Sequence, residues 1–420
     1  MIKKAHIINI GDELLVGQVI NTNSVWLSAQ LNNLNYVVEE IVCIGDDETA
    51  INKKLDTTIE NNIDLIIITG GLGSTKDDIT KKVLANYFNS PLVFNSEQDQ
   101  RIRNFLIVRN KISNYDLLKS QSYLPQHADL LNNSLGIAAG MIFKKKASCI
   151  VSMPGVPHEL KTMFHEQLKP LLINTAGANE IQHFHFFTAE IGESDLTLKL
   201  DSIENQLPPN MKLAYLPTYF MVRLRLTVIG NDYSQGLLKT ILVQIEQIVC
   251  EHLISKDSQT LEMIIGEALT THQKSIAVAE SCTGGYISHL LSCHAGSSAF
   301  FSGGIIAYNN TVKENLLNIK HENLKKYGAV SKETVLQMAS ETLHKFNTTY
   351  ALAISGILGP KSNHDDAPLG FVHVAIVSKN RQNHVEFKVR LDRQNNIFYA
   401  SQYALLKIWQ FIQKDLLPLP

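Results

Sequence analysis

Along the first 170 residues the apolar positions switch between two spacings. AHIINI, YVVEEIVCIG, DLIIITGG and CIVSMPGVP are short apolar runs that stop at Gly or Pro, the pattern of buried strands. Between and after them lie NTNSVWLSAQLNNLN, DDETAINKKLDTTIENN, KDDITKKVLANYF and HELKTMFHEQLKP. These place apolar residues three and four apart, most of them behind an Asn or Asp start signal, and read as helices. Strand and helix in alternation predict a parallel sheet covered by helices on both faces.

From about 171 to 255 that rhythm breaks. TAEIGESDLTLKLDSIENQL predicts a strand and then a helix, MVRLRLTVIG alternates strictly as a half-exposed strand, and SQGLLKTILVQIEQIVCEHL is an amphipathic helix. From about 256 the alternation returns. SIAVAESCTGG, SAFFSGGIIAY, TTYALAISGILGP and GFVHVAIVS are strand candidates. LEMIIGEALTTH, GYISHLLSCH, KETVLQMASETLHKF and a segment from Asn396 to Gln413 are the helices. The expected fold class is α/β, with two parallel-sheet α/β domains, 1–170 and 256–420, joined by a small α+β module, 171–255. At roughly 150 residues per domain, 420 residues suffice for about three.

Composition narrows the class. Hydrophobic residues at 45% and charged ones at 19% are ordinary globular usage, with enough apolar surface for sizeable cores. The balance of 38 Lys+Arg against 40 Asp+Glu leaves −2, and residues 171–255 hold no GxxG loop, so no nucleic-acid partner is expected. Cys43, Cys149, Cys250, Cys282 and Cys293 form no CxxC pair, which points to reduced thiols rather than a disulfide framework or zinc ribbon. The apolar stretch from Ala5 to Ile10 is too short for a signal-peptide core, and no run approaches the roughly 20 residues of a membrane helix. A cytoplasmic protein without a membrane partner is expected.

In an open α/β sheet, ligands bind outside the carboxyl ends of the strands. Glu280-Ser281-Cys282-Thr283-Gly284-Gly285 ends one run and opens a helix. Gly296-Ser297-Ser298 precedes a second run, which ends at Ala307-Tyr308-Asn309, and Ser355-Gly356 ends a third. Hydroxyls, amides freed by glycine and helix N-termini suit a phosphate-bearing substrate, although ordinary βα turns use the same residues. Ser281, Cys282, Thr283, Gly284 and Gly356 are therefore candidate substrate-binding residues. In the first domain Gly70, Gly71 and Gly73 of GGLGST can cradle a phosphate. Asp12, Asp77 and Asp78 beside it are candidate ligands for Mg²⁺ or a similar divalent metal, or else serve as helix caps and dipole partners. His158, Glu159 and His165 are spaced too widely for a zinc HExxH motif.

Several of these segments occur together in one order. AESCTGG, GSSAFFSGGIIAYNNTVK, YGAVSKETV, SGILGP and PLG resemble the CinA family, whose carboxy-terminal domain is a nicotinamide-nucleotide amidase. GDELLVGQVINTNSVWL, VCIGDD, ITGGLGSTKDDIT, QSYLP and MPGVPHELKTMF look like its molybdopterin-binding-like domain, and the middle module is similar to its KH-like connector. The resemblance implies hydrolysis of nicotinamide mononucleotide to nicotinic acid mononucleotide and ammonia in pyridine-nucleotide salvage, with no cofactor for that domain. It further implies small-molecule nucleotide ligands, a homodimer, and metal-dependent cleavage of ADP-ribose at its pyrophosphate by the first domain. It puts the nucleophile on Ser298, with Tyr308 and Lys313 beside it. Ser355 then orients the carboxamide, and Arg393 holds the ligand phosphate.

The chemistry supports a Ser–Lys reading. A serine hydroxyl is a weak nucleophile alone, and the chain has no GxSxG elbow and no evident His–Asp partner. A lysine activator must fall from about 10.4 by roughly 2–3 units, through burial or neighbouring positive charge. The plainer alternatives are Ser298 as a helix cap, Tyr308 as a core aromatic and Lys313 as a solvated surface residue. Cys282 at a helix N-terminus is a weaker candidate nucleophile than Ser298.

The chain also departs from the family pattern. GILGPKSNHDD stands where the family reads GIAGPxGG, with Leu358, Lys361, Ser362 and Asn363 at the altered positions. Gly136-Ile137-Ala138-Ala139-Gly140 replaces GTAPG, and GSTKDD replaces GPTxDD. The altered loop from Gly359 to Asp366 motivates a rival reading: a catalytically silent scaffold that binds a nucleotide or a molybdopterin-like ligand.

Overall fold

The computed structural model describes residues 3–173, 181–361 and 367–416. The chain divides into two compact units, the first comprising 1–184, 199–214 and 225–248 and the second 185–198, 215–224 and 249–420.

The first unit contains β1 (Lys3–Ile10), β2 (Tyr36–Ile44) and β3 (Leu65–Thr69). A two-stranded ribbon of β4 (Leu92–Phe94) and β5 (Tyr123–Pro125) follows, then β6 (Asp129–Leu131), β7 (Gly140–Lys145) and β8 (Ser148–Met153). The sheet order is β2-β1-β3-β8-β7-β6. The first four strands are parallel, whereas β7 and β6 run antiparallel at one edge. Every residue of β3 is buried because both faces are covered. Ile7, Ile67 and Val151 pack on one face against Leu27, Leu31 and Phe164. Ile8, Ile66, Ile68 and Ile150 pack on the other against Ile51, Leu55 and Leu84. The start signals read from sequence cap their helices: Asn21 accepts from the Ser24 amide and Asp47 from the Ala50 amide.

Strands β9 (Ile181–Ala189), β10 (Met211–Thr218), β11 (Met221–Ile229) and β12 (Leu253–Ser255) form a sheet of order β10-β11-β9-β12. The alternation of MVRLRLTVI appears directly in the burial of β11.

The second unit is built on β13 (Ile276–Glu280), β14 (Phe301–Ile306), β15 (Tyr350–Gly356), β16 (Phe371–Ser378) and β17 (Gln382–Lys388), in the order β14-β13-β15-β16-β17. The first three strands are parallel; β16 and β17 add antiparallel. Both large sheets are thus mixed rather than wholly parallel. Hairpin-linked strands supply the antiparallel edges; β17 went unread because QNHVEFK carries little apolar signal, and β7 because its apolar run Met141-Ile142-Phe143 is only three residues long before two lysines. The last helix is Arg393–Leu416, longer at both ends than its apolar stripe suggested.

Candidate functional site

Strand β13 delivers its last residue, Glu280, into the interior with no exposed surface. A bare carboxylate there would be costly, and here it is fully hydrogen-bonded. Oε2 accepts from Thr283 Oγ1 (2.7 Å) and from the Gly285 and Ile287 amides (3.1 and 3.0 Å). Oε1 accepts from the Ser288 amide and hydroxyl (2.8 and 2.6 Å). Glu280 therefore caps the helix Tyr286–Ser292 from within and fixes the turn 281–285. Gly285 sits in that turn at φ 100°, a left-handed conformation natural to glycine. Thr283 is accounted for by this carboxylate, and the Gly284 amide by the Ser281 carbonyl (3.2 Å).

On the fixed turn stands Ser281, 7% exposed, its hydroxyl 3.1 Å from Lys313 Nζ. Lys313 lies in the helix Asn310–Leu317, whose start is capped by Asn309 accepting from the Val312 amide (2.8 Å). Its amine also donates to the carbonyls of Ala307 (2.9 Å) and Tyr308 (3.4 Å). At 1% exposure Lys313 is not the solvated residue that a lone lysine usually is. Burial pulls its ammonium down to about 8, in the range a general base needs. Neighbouring Cys282 goes the other way: burial pushes its thiol up to about 12, so it is held as a neutral thiol. The amides of Cys282 and Thr283 donate to no other residue among the described residues, leaving two N–H donors beside the Ser281 hydroxyl.

Tyr308 and Arg393 meet at the rim. Arg393 Nη2 donates to the Tyr308 hydroxyl (3.0 Å) and Nη1 to the Gly359 carbonyl (2.5 Å). Tyr308 is 59% exposed, a rim residue and not a core aromatic. Ser355, 1% exposed near the end of β15, spends its hydroxyl on the Ala329 carbonyl (2.8 Å) and so positions a neighbouring loop. Gly356 follows it, and a side chain there would meet the Phe371 carbonyl at 2.7 Å. Of the altered loop, Leu358 is buried, whereas Ser362 and Asn363 lie outside the described residues.

Ser298 does not join this group. It lies in the short turn Ser297–Ala299 before β14, exposed, with its hydroxyl unpartnered among the described residues. Phe301 pairs with Ile276 at the start of β13, whereas Ser281 follows the end of that strand. Five residues at about 3.3 Å each put the two serines at opposite ends of the sheet, on the order of 15 Å apart. The strand-end rule already held the signal, because Ser281 follows a strand and Ser298 precedes one.

The first unit holds a second site at the carboxyl ends of β1 and β3, a cleft of about 460 Å³ lined by Gly70, Gly71 and Gly73 and by carboxylates. Gly70 sits at φ 101°, and a Cβ there would lie 2.1 Å from the Ile10 carbonyl, so only glycine closes this turn. The Gly73 and Thr75 amides donate to Asp78 (2.7 and 2.9 Å), and the Thr75 hydroxyl makes a further bond to it. Asp78 thus holds the loop together and is a poorer metal ligand than its position suggested. Asp77 is exposed on the cleft, its carboxyl lowered by the Thr75 hydrogen bond. Asp77 and Asp78 do not open the next helix, which begins at Thr80.

Sequence reading missed Asp46. Its Oδ2 accepts from the Asp12 amide (3.1 Å), and its own amide donates to Asp12 Oδ1 (3.3 Å), so the two carboxylates clasp reciprocally. Burial raises the Asp46 carboxyl, and Asp12, Glu13 and Asp77 push it up further. Glu13 and Glu159 complete the acidic wall. Hard oxygen donors crowded on one wall suit a divalent cation such as Mg²⁺.

No helix among the described residues is long and apolar enough to cross a membrane.

Residues 258–412 match the family model described as CinA C-terminal domain, and residues 6–174 the model described as probable molybdopterin binding domain. The chain is 37% identical over 396 residues to a CinA-like protein of Cytophaga hutchinsonii, covering 94% of each. It is 35% identical over 417 residues to a CinA-like protein of Flavobacterium psychrophilum, covering 98% of this chain and 99% of the relative. Among solved structures, the competence/damage inducible protein CihA from Agrobacterium tumefaciens is 34% identical, covering 36% of this chain and 94% of that one, with a TM-score of 0.36.

Proposed function

Since the chain belongs to the CinA family, we propose that its second unit hydrolyses the carboxamide of nicotinamide mononucleotide to nicotinic acid mononucleotide and ammonia. The observation that carries this reading is the 3.1 Å contact between Ser281 Oγ and the buried Lys313 amine. Neutral Lys313 takes the Ser281 proton as Oγ attacks the amide carbon. The oxyanion forms beside the free amides of Cys282 and Thr283. Lys313 then passes its proton to the departing ammonia, and water cleaves the acyl-serine ester, its proton returning through the same amine. Tyr308 and Arg393 at the rim offer a hydroxyl and a guanidinium to the ribose phosphate. Ser281 replaces Ser298 as the nucleophile, and Ser355 supports the neighbouring loop. Ammonia release from nicotinamide mononucleotide by the purified protein tests the reading. Tight nucleotide binding without turnover would favour the silent scaffold instead.

A second activity is favoured by the glycine-lined acidic cleft: metal-dependent hydrolysis of a nucleoside diphosphate sugar such as ADP-ribose. Asp46, Asp12, Glu13 and Asp77 would hold the cation, which supplies charge neutralisation at the pyrophosphate and an acidified water. The Gly71 and Leu72 amides are the ones open to the phosphates, since those of Gly70 and Gly73 donate to the Met153 carbonyl and to Asp78. AMP formation dependent on added Mg²⁺ tests this.

A further inference from the structure

On the antiparallel pair β16–β17, His373 stands opposite Glu386 and Ala375 opposite His384. Paired residues of such a ladder share a face, and residues two apart along a strand share it too. His373, His384 and Glu386 therefore project from one face of the hairpin. It is the face of Ser355, which pairs with His373 on the other side. Diagonal residues of a ladder are ordinarily about 7–8 Å apart. Here the two imidazoles stack with centroids 5.3 Å apart and planes 22° apart, which brings His373 Nδ1 within 3.0 Å of His384 Nε2. Glu386 Oε2 is 3.9 Å from the same Nδ1, and all three ligand atoms lie within 4.8 Å of one another.

We propose that His373, His384 and Glu386 form a binding site for a borderline divalent transition ion, of which Zn²⁺ is the natural occupant. Two imidazole nitrogens 3.0 Å apart, each about 2.0–2.1 Å from one ion, subtend roughly 95° at it, within the range for two neighbouring ligands. The carboxylate belongs to an exposed side chain and needs to swing in by up to about 1.5 Å to complete a three-ligand set. Imidazole donors select Zn²⁺, Ni²⁺ or Co²⁺ over Mg²⁺, whereas the carboxylate cleft of the first unit has the opposite preference. Glu333 and Lys332, at the start of the helix Lys332–Phe346, face the cluster with opposite charges. Its ion would clamp β17, a polar edge strand, onto β16.

The test uses the full chain stripped of metal by chelation and titrated with Co²⁺. Binding at this site gives the intense visible bands of a low-coordinate, nitrogen-ligated ion, displaced by Zn²⁺, with a thermal transition that rises on metal addition. His384→Ala should lose both, with affinity down by more than the roughly 100-fold typical of a lost supporting group. Glu386→Gln should keep the nitrogen signature and bind about tenfold more weakly. Weak, oxygen-only octahedral bands would assign the ion to the carboxylate cleft and overturn the proposal. An unchanged titration of His384→Ala, folded by circular dichroism, would overturn it equally.

Discussion

At the scale of single residues the chemistry turns on which hydroxyl Lys313 can reach. Ser281→Ala removes the hydroxyl 3.1 Å from Nζ. Ammonia release should fall by roughly 10³-fold or more, as when the nucleophile of a coupled set is deleted. Ser298→Ala changes an exposed turn residue at the other end of the sheet and should leave the rate within about twofold, the small effect usual for a surface substitution. Equal losses in both variants would remove Ser281 from the mechanism. The base makes a prediction with a definite sign. In the proposed mechanism Lys313 acts as the free amine, and burial pulls its ammonium down to about 8. Below that pH the free fraction drops tenfold per unit, so kcat/KM should climb with unit slope from acid pH and level off above about 8. Lys313→Arg keeps the charge but never deprotonates, so the pH profile should vanish along with the activity. Much of this was legible beforehand. The strand-end rule places Ser281 among the substrate-binding candidates, though the resemblance put the nucleophile on Ser298, and the absence of an elbow or a His–Asp pair argues for lysine. Which serine the lysine reaches depends on the β13–β14 register, a long-range fact with no local sequence mark.

Elements show a similar split. The parallel strands and their capped helices were readable because burial on both faces gives continuous apolar runs. Strand β17 is largely exposed and polar and has no such run, and the run of β7 is only Met141-Ile142-Phe143 before two lysines. Asp46 was unreadable for a related reason: its meaning lies in Asp12, 34 residues earlier, brought alongside by the β1–β2 pairing. The element with most at stake is the turn from β13 into the helix Tyr286–Ser292. Glu280 satisfies three amides and two hydroxyls there with no exposed surface. Glu280→Gln keeps the shape but turns an amide NH₂ toward donors, leaving buried groups unpaired at a cost of about 2–4 kcal/mol. The melting transition of the second unit should fall by several degrees, and ammonia release with it, because Ser281 loses its fixed turn. A Glu280→Gln protein with wild-type melting and wild-type rate would show that the cap positions nothing. The corresponding change in the first unit is Gly70→Ala, where a Cβ would sit 2.1 Å from the Ile10 carbonyl at φ 101°. The loop must move, and any phosphate binding by the Gly71 and Leu72 amides should be lost even where the unit still folds.

For the molecule as a whole, the two sites differ in what they ask of a metal, and each is drawn from one unit. In the proposed mechanism the amide site takes its nucleophile, base and oxyanion donors entirely from side chains and backbone amides. The acidic cleft gathers Glu13, Asp46 and Asp77, with Asp12 bonded to Asp46 beside it; burial raises the Asp46 carboxyl and these neighbours add a repulsion that a cation would relieve. A strong chelator should therefore separate the activities in one tube: AMP formation from ADP-ribose stops, while ammonia release from nicotinamide mononucleotide continues. Asp46→Asn should act on the first alone, weakening Mg²⁺ dependence by about 10–100-fold, the usual cost of altering a group around a bound ion. Ser281→Ala should act on the second alone. Crossed effects, with Asp46→Asn slowing the amidase or a chelator abolishing both, would mean that the two sites do not run as separate chemistries, whatever the independence of their residues suggests.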